Sequence, residues 1–208
     1  MRDSARMARN GSAVLLVRHS ETEWSLSGQH TSRTDLPLLD EGRPAAKALG
    51  RRLAAREFAL VLSSPLKRAW ETAQLAGLGD VAEATDDLLE LGYGEYEGRT
   101  TAEIRTERPG WDLWKDGSPG GEPLAAAAER VDRVIACADA AGGDVALFAH
   151  GHILRILGAR WLGLPPAAGS WLALSTASLC DLGYERERRV IWVWNDTSHS
   201  DPGKPELN

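Results

Sequence analysis

Ala13-Val-Leu-Leu-Val17 is an unbroken apolar run of strand-forming residues, and it ends directly at Arg18 and His19. A strand that is apolar on both faces has to be covered on both faces, which confines the chain to layered folds with a sheet in the middle. Leu60-Val-Leu62 and residues 144–149 repeat the pattern. Helical spacing separates these runs. Ala45, Ala48, Leu49 and Leu53 give one apolar face to a helix expected from Asp40 or Glu41 to about Arg56. Ser64 is expected to cap, and Pro65 to open, a helix running to about Ala76. Further helices are expected over residues 123–141 and 153–161, then two or three strands within residues 171–194, with turn signals at Gly183 and residues 185–188. Strand and helix in alternation predict an α/β fold, a three-layer α/β/α sandwich whose mostly parallel sheet is flanked by helices.

Residues 85–121 break the rhythm, being short in pattern and rich in Gly, Trp and charge. They are expected to form a small inserted cap over one end of the sheet. Within it Trp111 and Trp114 lie three apart, suited to packing the cap onto the core or to lining a pocket mouth. The 208 residues suit one domain over 1–208, with the cap-like insertion at about 85–121 and a polar tail at about 195–208 that carries Pro202 and Pro205. Trp192 and Trp194 alternate along the terminal strand as core or interface residues, and this apolar strand suggests a homodimer.

A net charge of −6 argues against nucleic acid as a partner, because such binding needs a basic footprint. The two cysteines, Cys137 and Cys180, fit no metal or redox spacing and are expected to be reduced, buried thiols of a cytoplasmic protein. Arg2, Arg6 and Arg9 precede an apolar run far shorter than a signal peptide's, or than the roughly 20 residues of a membrane span. No membrane partner is expected.

Ligands of open α/β sheets bind beyond the carboxyl ends of the strands. The first strand is followed by Arg18 and His19, the second by Ser63-Ser64-Pro65 with Arg68 one turn on, the third by His150-Gly151-His152. Arginines and histidines gathered beside helix N-termini call for an anionic guest, and phosphate fits guanidinium groups bidentately. A metal pair at His150 and His152 has no third ligand at useful spacing, so no metal is expected.

Leu16-Val-Arg-His-Ser-Glu-Thr-Glu-Trp24 resembles the "RHG" signature of the histidine phosphatase superfamily, which includes the cofactor-dependent phosphoglycerate mutases. Ser64-Pro-Leu-Lys-Arg-Ala-Trp-Glu-Thr-Ala73 resembles that family's second phosphate-binding segment. Leu88-Leu-Glu-Leu-Gly-Tyr-Gly-Glu-Tyr-Glu-Gly98 resembles its catalytic acid segment, and Ala149-His-Gly-His152 its second histidine motif. All stand in the family order. The segment from Trp24 to Leu38 is similar to members that act as acid phosphatases or on sugar bisphosphates.

The resemblance implies a phosphomonoester hydrolase acting on a small phosphorylated metabolite such as a sugar phosphate, with no cofactor. His19 would be the nucleophile, Arg18, Arg68 and His150 would neutralise the phosphoryl oxygens, and Glu90 would be the general acid and then base. Glu90 is expected to be protonated at rest through desolvation, with Glu95 and Glu97 as nearby rivals. Ser25, Thr31, Ser32, Glu122 and Gly151 are the implied substrate-binding positions. Lys67 and Arg155 read as surface or supporting groups, and His152 as a pocket-edge or helix-start residue. Ser20 and Ser32 stand where the family usually has glycine, and Ser25 where many relatives have asparagine, each placing a side chain close to the expected substrate. A phosphoglycerate mutase and a catalytically silent phospholigand-binding module are the competing readings.

Overall fold

The computed structural model describes residues 12–200; Arg2, Arg6, Arg9, Pro202 and Pro205 lie outside the described residues. Six strands form one mixed sheet: β1 (Val14–Arg18), β2 (Leu60–Ser63), β3 (Ala82–Ala84), β4 (Val145–Ala149), β5 (Leu179–Glu185) and β6 (Arg188–Asp196). Their order is β3-β2-β4-β1-β5-β6. The β3-β2, β2-β4 and β4-β1 pairs are parallel, and β5 runs antiparallel to both β1 and β6. The helices are α1 (Glu23–Ser27), α2 (Arg43–Leu53), α3 (Lys67–Leu75), α4 (Thr101–Glu107), α5 (Leu113–Asp116), α6 (Leu124–Ala140) and α7 (Gly151–Trp161).

The unbroken apolar runs have a direct structural cause. Successive side chains of a strand point to opposite faces, and both faces of this sheet carry a core. Val14 and Leu16 of β1, with Val145 and Leu147 of β4, face the side covered by α6 and α7. Leu15 and Val17, with Ala146 and Phe148, face Leu49 and Leu53 of α2 and Ala73 of α3. A polar substitution anywhere from Val14 to Val17 would therefore be buried, whichever face it took.

Several boundaries differ from the sequence expectation. The helix expected from residue 40 begins at Arg43, with Pro44 in its first turn. Ser64 does not cap α3: the N-cap is Leu66, and the Ser64 hydroxyl turns to His150. α7 starts at Gly151, two residues early, because His150 serves as its N-cap. Gly183 lies inside β5 instead of in a turn, where a Cβ would press on Trp192. The unforeseen α1 is closed by a capping box in which Thr22 and Ser25 exchange side-chain and backbone hydrogen bonds. Cys180 is buried, its thiol pushed up to about 12 mainly by burial, but Cys137 is exposed on the outer side of α6, against expectation. No described helix is long and apolar enough to cross a membrane.

Residues 85–121 hold short 3-10 turns with α4 and α5, and their apolar side chains (Leu88, Tyr96, Ile104, Trp111) extend the α6–α7 core. Trp111 is buried and donates from its indole to Gly117 O at 2.8 Å. The segment turns sharply at Gly94, where φ is +53° and a Cβ would overlap the backbone of Pro119 and Gly121. Gly94→Ala is therefore expected to destabilise the fold by about 2 kcal/mol or more, seen as a lowered denaturant midpoint. An unchanged midpoint would contradict this close packing.

Candidate active site

The parallel register sets Arg18 beside Ala149 and Ser63 beside Phe148, so the residues that follow β1, β2 and β4 converge at one edge. His19 N donates to Ala149 O at 2.9 Å, and Ser64 N to Phe148 O at 2.9 Å, which locks the strand ends together.

His19 is almost wholly buried, and its Nδ1 lies 2.7 Å from Ser20 O. A carbonyl only accepts, so Nδ1 carries the proton and Nε2 keeps its lone pair. Burial foremost, then the charges of Arg18 and Arg68, holds this imidazole well below the usual histidine range, hence neutral. His150 has the opposite tautomer. Its Nδ1 accepts from Arg68 Nε at 3.0 Å, and arginine cannot accept, so Nε2 bears the proton and meets Ser64 Oγ at 2.8 Å. It too is held neutral, by burial first and then by Arg68 and His19.

The two arginines differ. Arg68 is fully buried and ties down the loop at residues 31–34, donating to Thr31 O, Ser32 O and Thr34 O. Arg18 Nη1 donates to Leu174 O at 2.5 Å, but its Nε is buried and has no partner among the described residues. A buried donor without a partner is costly, and desolvation is the main influence lowering the pKa of this guanidinium.

Glu90 corrects an expectation. Its carboxylate is buried and sits on the N-terminus of α7, Oε1 accepting from Leu91 N and Ile153 N at 2.9 Å each and Oε2 from His152 N at 3.0 Å. Burial alone would raise its pKa. Hydrogen bonding from His152, with the N-terminus of α7 acting in the same sense, outweighs it and holds the group well below the usual carboxylate range. Glu90 is therefore ionised in the free site. Its rival Glu97 accepts from Ser32 N and Thr34 N and holds the loop, while Glu95 is exposed.

A cavity of about 180 Å³ opens over these groups. Arg18, His19, Ser25, Thr31, Glu90 and Gly151 line it, whereas Arg68 and His150 lie just behind its wall. Glu122 is elsewhere: it pairs with Arg130 at 2.7 Å and accepts from Gly92 N, bracing the start of α6. Ser20 points away and bonds Gly42 O at 2.5 Å, and Ser32 is buried with its hydroxyl on Glu90 O at 3.3 Å. Neither serine lines the cavity, contrary to the expectation that both would crowd it. Lys67 is exposed beside Asp35, but Arg155 lines the cavity with its guanidinium over Trp114. Trp24, Gln29, His30, Tyr93 and His152 also line the cavity. Among the described residues no group of three or more His, Cys, Asp or Glu side chains is placed to hold a metal ion.

Comparison with known proteins agrees with this geometry. The model of the histidine phosphatase superfamily (branch 1) matches residues 14–197. An acid phosphatase of Mycobacterium tuberculosis is 42% identical over 193 residues, covering 91% of this chain and 95% of its own. A sedoheptulose 1,7-bisphosphatase of Saccharomyces cerevisiae is 36% identical, covering 72% of this chain and 67% of its own. Among solved structures, a mycobacterial glucosyl-3-phosphoglycerate phosphatase superposes with a TM-score of 0.80 at 30% identity, covering 89% of this chain and 99% of its own. With its tautomer-locked histidine pair on a sheet of matching topology, the chain belongs to the histidine phosphatase superfamily, branch 1.

Proposed function

We propose that this protein hydrolyses small phosphorylated metabolites, sugar phosphates foremost, through a phosphohistidine on His19 and without a metal ion. The observation that carries the reading is the neutral His19, its Nδ1 proton fixed on Ser20 O and its Nε2 lone pair near the half-buried Arg18 and the fully buried Arg68. In the first half-reaction the Nε2–P bond forms as the P–O bond to the leaving group breaks. Arg18, Arg68 and the Nε2–H of His150 offset the charge that spreads over the phosphoryl oxygens. Glu90 hands a proton to the leaving oxygen, then takes one from the water that attacks phosphorus as the P–N bond breaks. Since Glu90 is ionised in the free site, it takes up that first proton when the phosphate's negative charge arrives next to it.

Gln29, His30 and Tyr93 give the cavity wall groups that suit a hydroxyl-rich leaving group, and Arg155 suits one that carries a second anion. The sedoheptulose bisphosphatase and glucosyl-phosphoglycerate phosphatase relatives support that substrate class. The reading extends to a cytoplasmic protein acting as one domain with residues 85–121 as its cap, and to a homodimer. Trp192, 36% exposed on the edge strand β6, supports the last of these. The test is hydrolysis of p-nitrophenyl phosphate, with and without EDTA, by wild type and His19→Ala. Turnover is expected to survive EDTA and to vanish in the variant. Loss in EDTA, or persistence in His19→Ala, would overturn the mechanism. Phosphoryl return to 3-phosphoglycerate in preference to water would favour the mutase reading.

A further inference from the structure

The ionised Glu90 raises a question that its own surroundings answer: by what route does it gain its proton? Oε1 already accepts two backbone N–H groups and Oε2 only one, so Oε2 is the oxygen with room for a proton. The titratable side chain beside that oxygen is His152, whose Nδ1 lies 3.9 Å away. The His152 side chain is 20% exposed against 6% for Glu90, so it is the more open to solvent of the two. Tyr93 Oη lies 2.7 Å from the same Nδ1. Burial keeps the Tyr93 hydroxyl protonated, so it is the donor, and neutral His152 carries its proton on Nε2.

We propose that His152, steered by Tyr93, is a positioning residue that delivers the proton to Glu90 Oε2. The inference rests on the reading of Glu90 as the acid. When His152 takes a proton from solvent it is protonated on both nitrogens, and Tyr93 turns its hydroxyl to accept. A small rotation of the imidazole closes the gap. The Nδ1–H bond then breaks as the Oε2–H bond forms, leaving neutral His152 with its proton on Nε2. Glu90 passes that proton to the leaving oxygen as the P–O bond breaks.

The other groups around His152 leave this role to it. The His30 ring, 6.1 Å away, is lowered to about 4 by burial first and by His152, so it stays neutral where imidazole ordinarily titrates. Trp114 packs on its face at 5.3 Å, with Arg155 stacked on Trp114. Arg18, the remaining charged group on this side of the cavity, has no titration near neutrality.

A leaving group that departs as a stable anion has little need of a proton, whereas an alkoxide cannot leave without one. The experiment therefore compares kcat–pH profiles for p-nitrophenyl phosphate and an alkyl phosphate such as glycerol 3-phosphate, in wild type, His152→Asn and Tyr93→Phe. In His152→Asn the loss on the alkyl ester is expected to exceed the loss on the aryl ester by about tenfold or more. The alkaline limb of the alkyl profile should move to lower pH, and added imidazole should restore part of the rate. Tyr93→Phe, which keeps both Glu90 and His152, should lose in the same direction by a smaller factor; it carries the test if His152→Asn does not fold. Equal losses on both esters, an unmoved limb, or no response to imidazole would overturn the relay while leaving the phosphatase reading intact. A wild type inactive on both esters, or a fully active His19→Ala, would overturn that reading and this inference with it.

Discussion

Glu90→Gln is expected to lower kcat on alkyl phosphates by about 100- to 10,000-fold, the range found when a positioned general acid is removed. The isosteric amide can still offer its carbonyl oxygen to the N–H groups of Leu91 and Ile153, while its NH2 takes the place facing His152 N, so the N-terminus of α7 keeps part of its cap and the fold should survive. The loss should be much smaller on p-nitrophenyl phosphate, and KM should change little, because the residue acts on the leaving group and not on the phosphate's charge. Steady-state kinetics on the two esters check this. A uniform loss on both would mean that Glu90 serves the phosphate pocket and that another group is the acid. In the Glu90→Gln background, His152→Asn should add little, since a relay without a receiver has nothing to do.

The second large effect couples activity to stability with opposite signs. Arg18 holds a buried Nε that has no partner among the described residues, and an unsatisfied buried donor costs about 1–3 kcal/mol. Arg18→Met is expected to lower kcat/KM by about 100- to 1,000-fold, as for the loss of one oxyanion donor, while raising the melting temperature by a few degrees. Arg18→Lys should not restore activity, because an ammonium cannot present the guanidinium's fork to phosphate. Thermal melts and kinetics on the same preparations decide it. A variant that loses both activity and stability would show that Arg18 is a structural residue bonded to Leu174 O, and that the orphan donor is incidental. Inorganic phosphate should stabilise the wild type more than Arg18→Met, since its binding is where the free protein's deficit is made good.

The sequence made the sheet legible because its strands are apolar without interruption, and only a sheet covered on both faces accepts that. Arg18, His19 and His150 were readable for the same reason: each directly follows a buried strand, so locating the strand locates the residue. Arg68 was readable one turn beyond the second strand, whereas Glu90 depended on the family resemblance, since nothing local in its segment says which carboxylate turns inward. What stayed hidden came from contacts between segments far apart in the chain. Glu90 rests on the start of α7, more than sixty residues on, and that contact reverses the protonation expected from burial alone. The direction of Ser20 depends on Gly42 O, and that of Ser32 on the backbone around Glu90, so two substitutions that looked like intrusions into the pocket are framework bonds. His152 read as a pocket-edge or helix-start residue, and His30 and Tyr93 carried no signal of their own. They become a group only when the loop after α1, the cap and α7 meet, with ring centroids 4.8 to 6.1 Å apart. The short elements also escaped: β3 has three residues with Glu83 in the middle, too brief for any periodicity, although the Thr22–Ser25 capping pair was a signal for α1.

The central claim is a covalent phosphoryl group on His19 Nε2, and trapping that adduct tests it most directly. Wild-type protein mixed with a phosphate ester and quenched in alkali should carry an acid-labile phosphoryl group that peptide mapping places on His19, and His19→Ala should carry none. Wild type that turns over substrate with no trapped adduct, or with the phosphoryl group on another residue, would contradict the account.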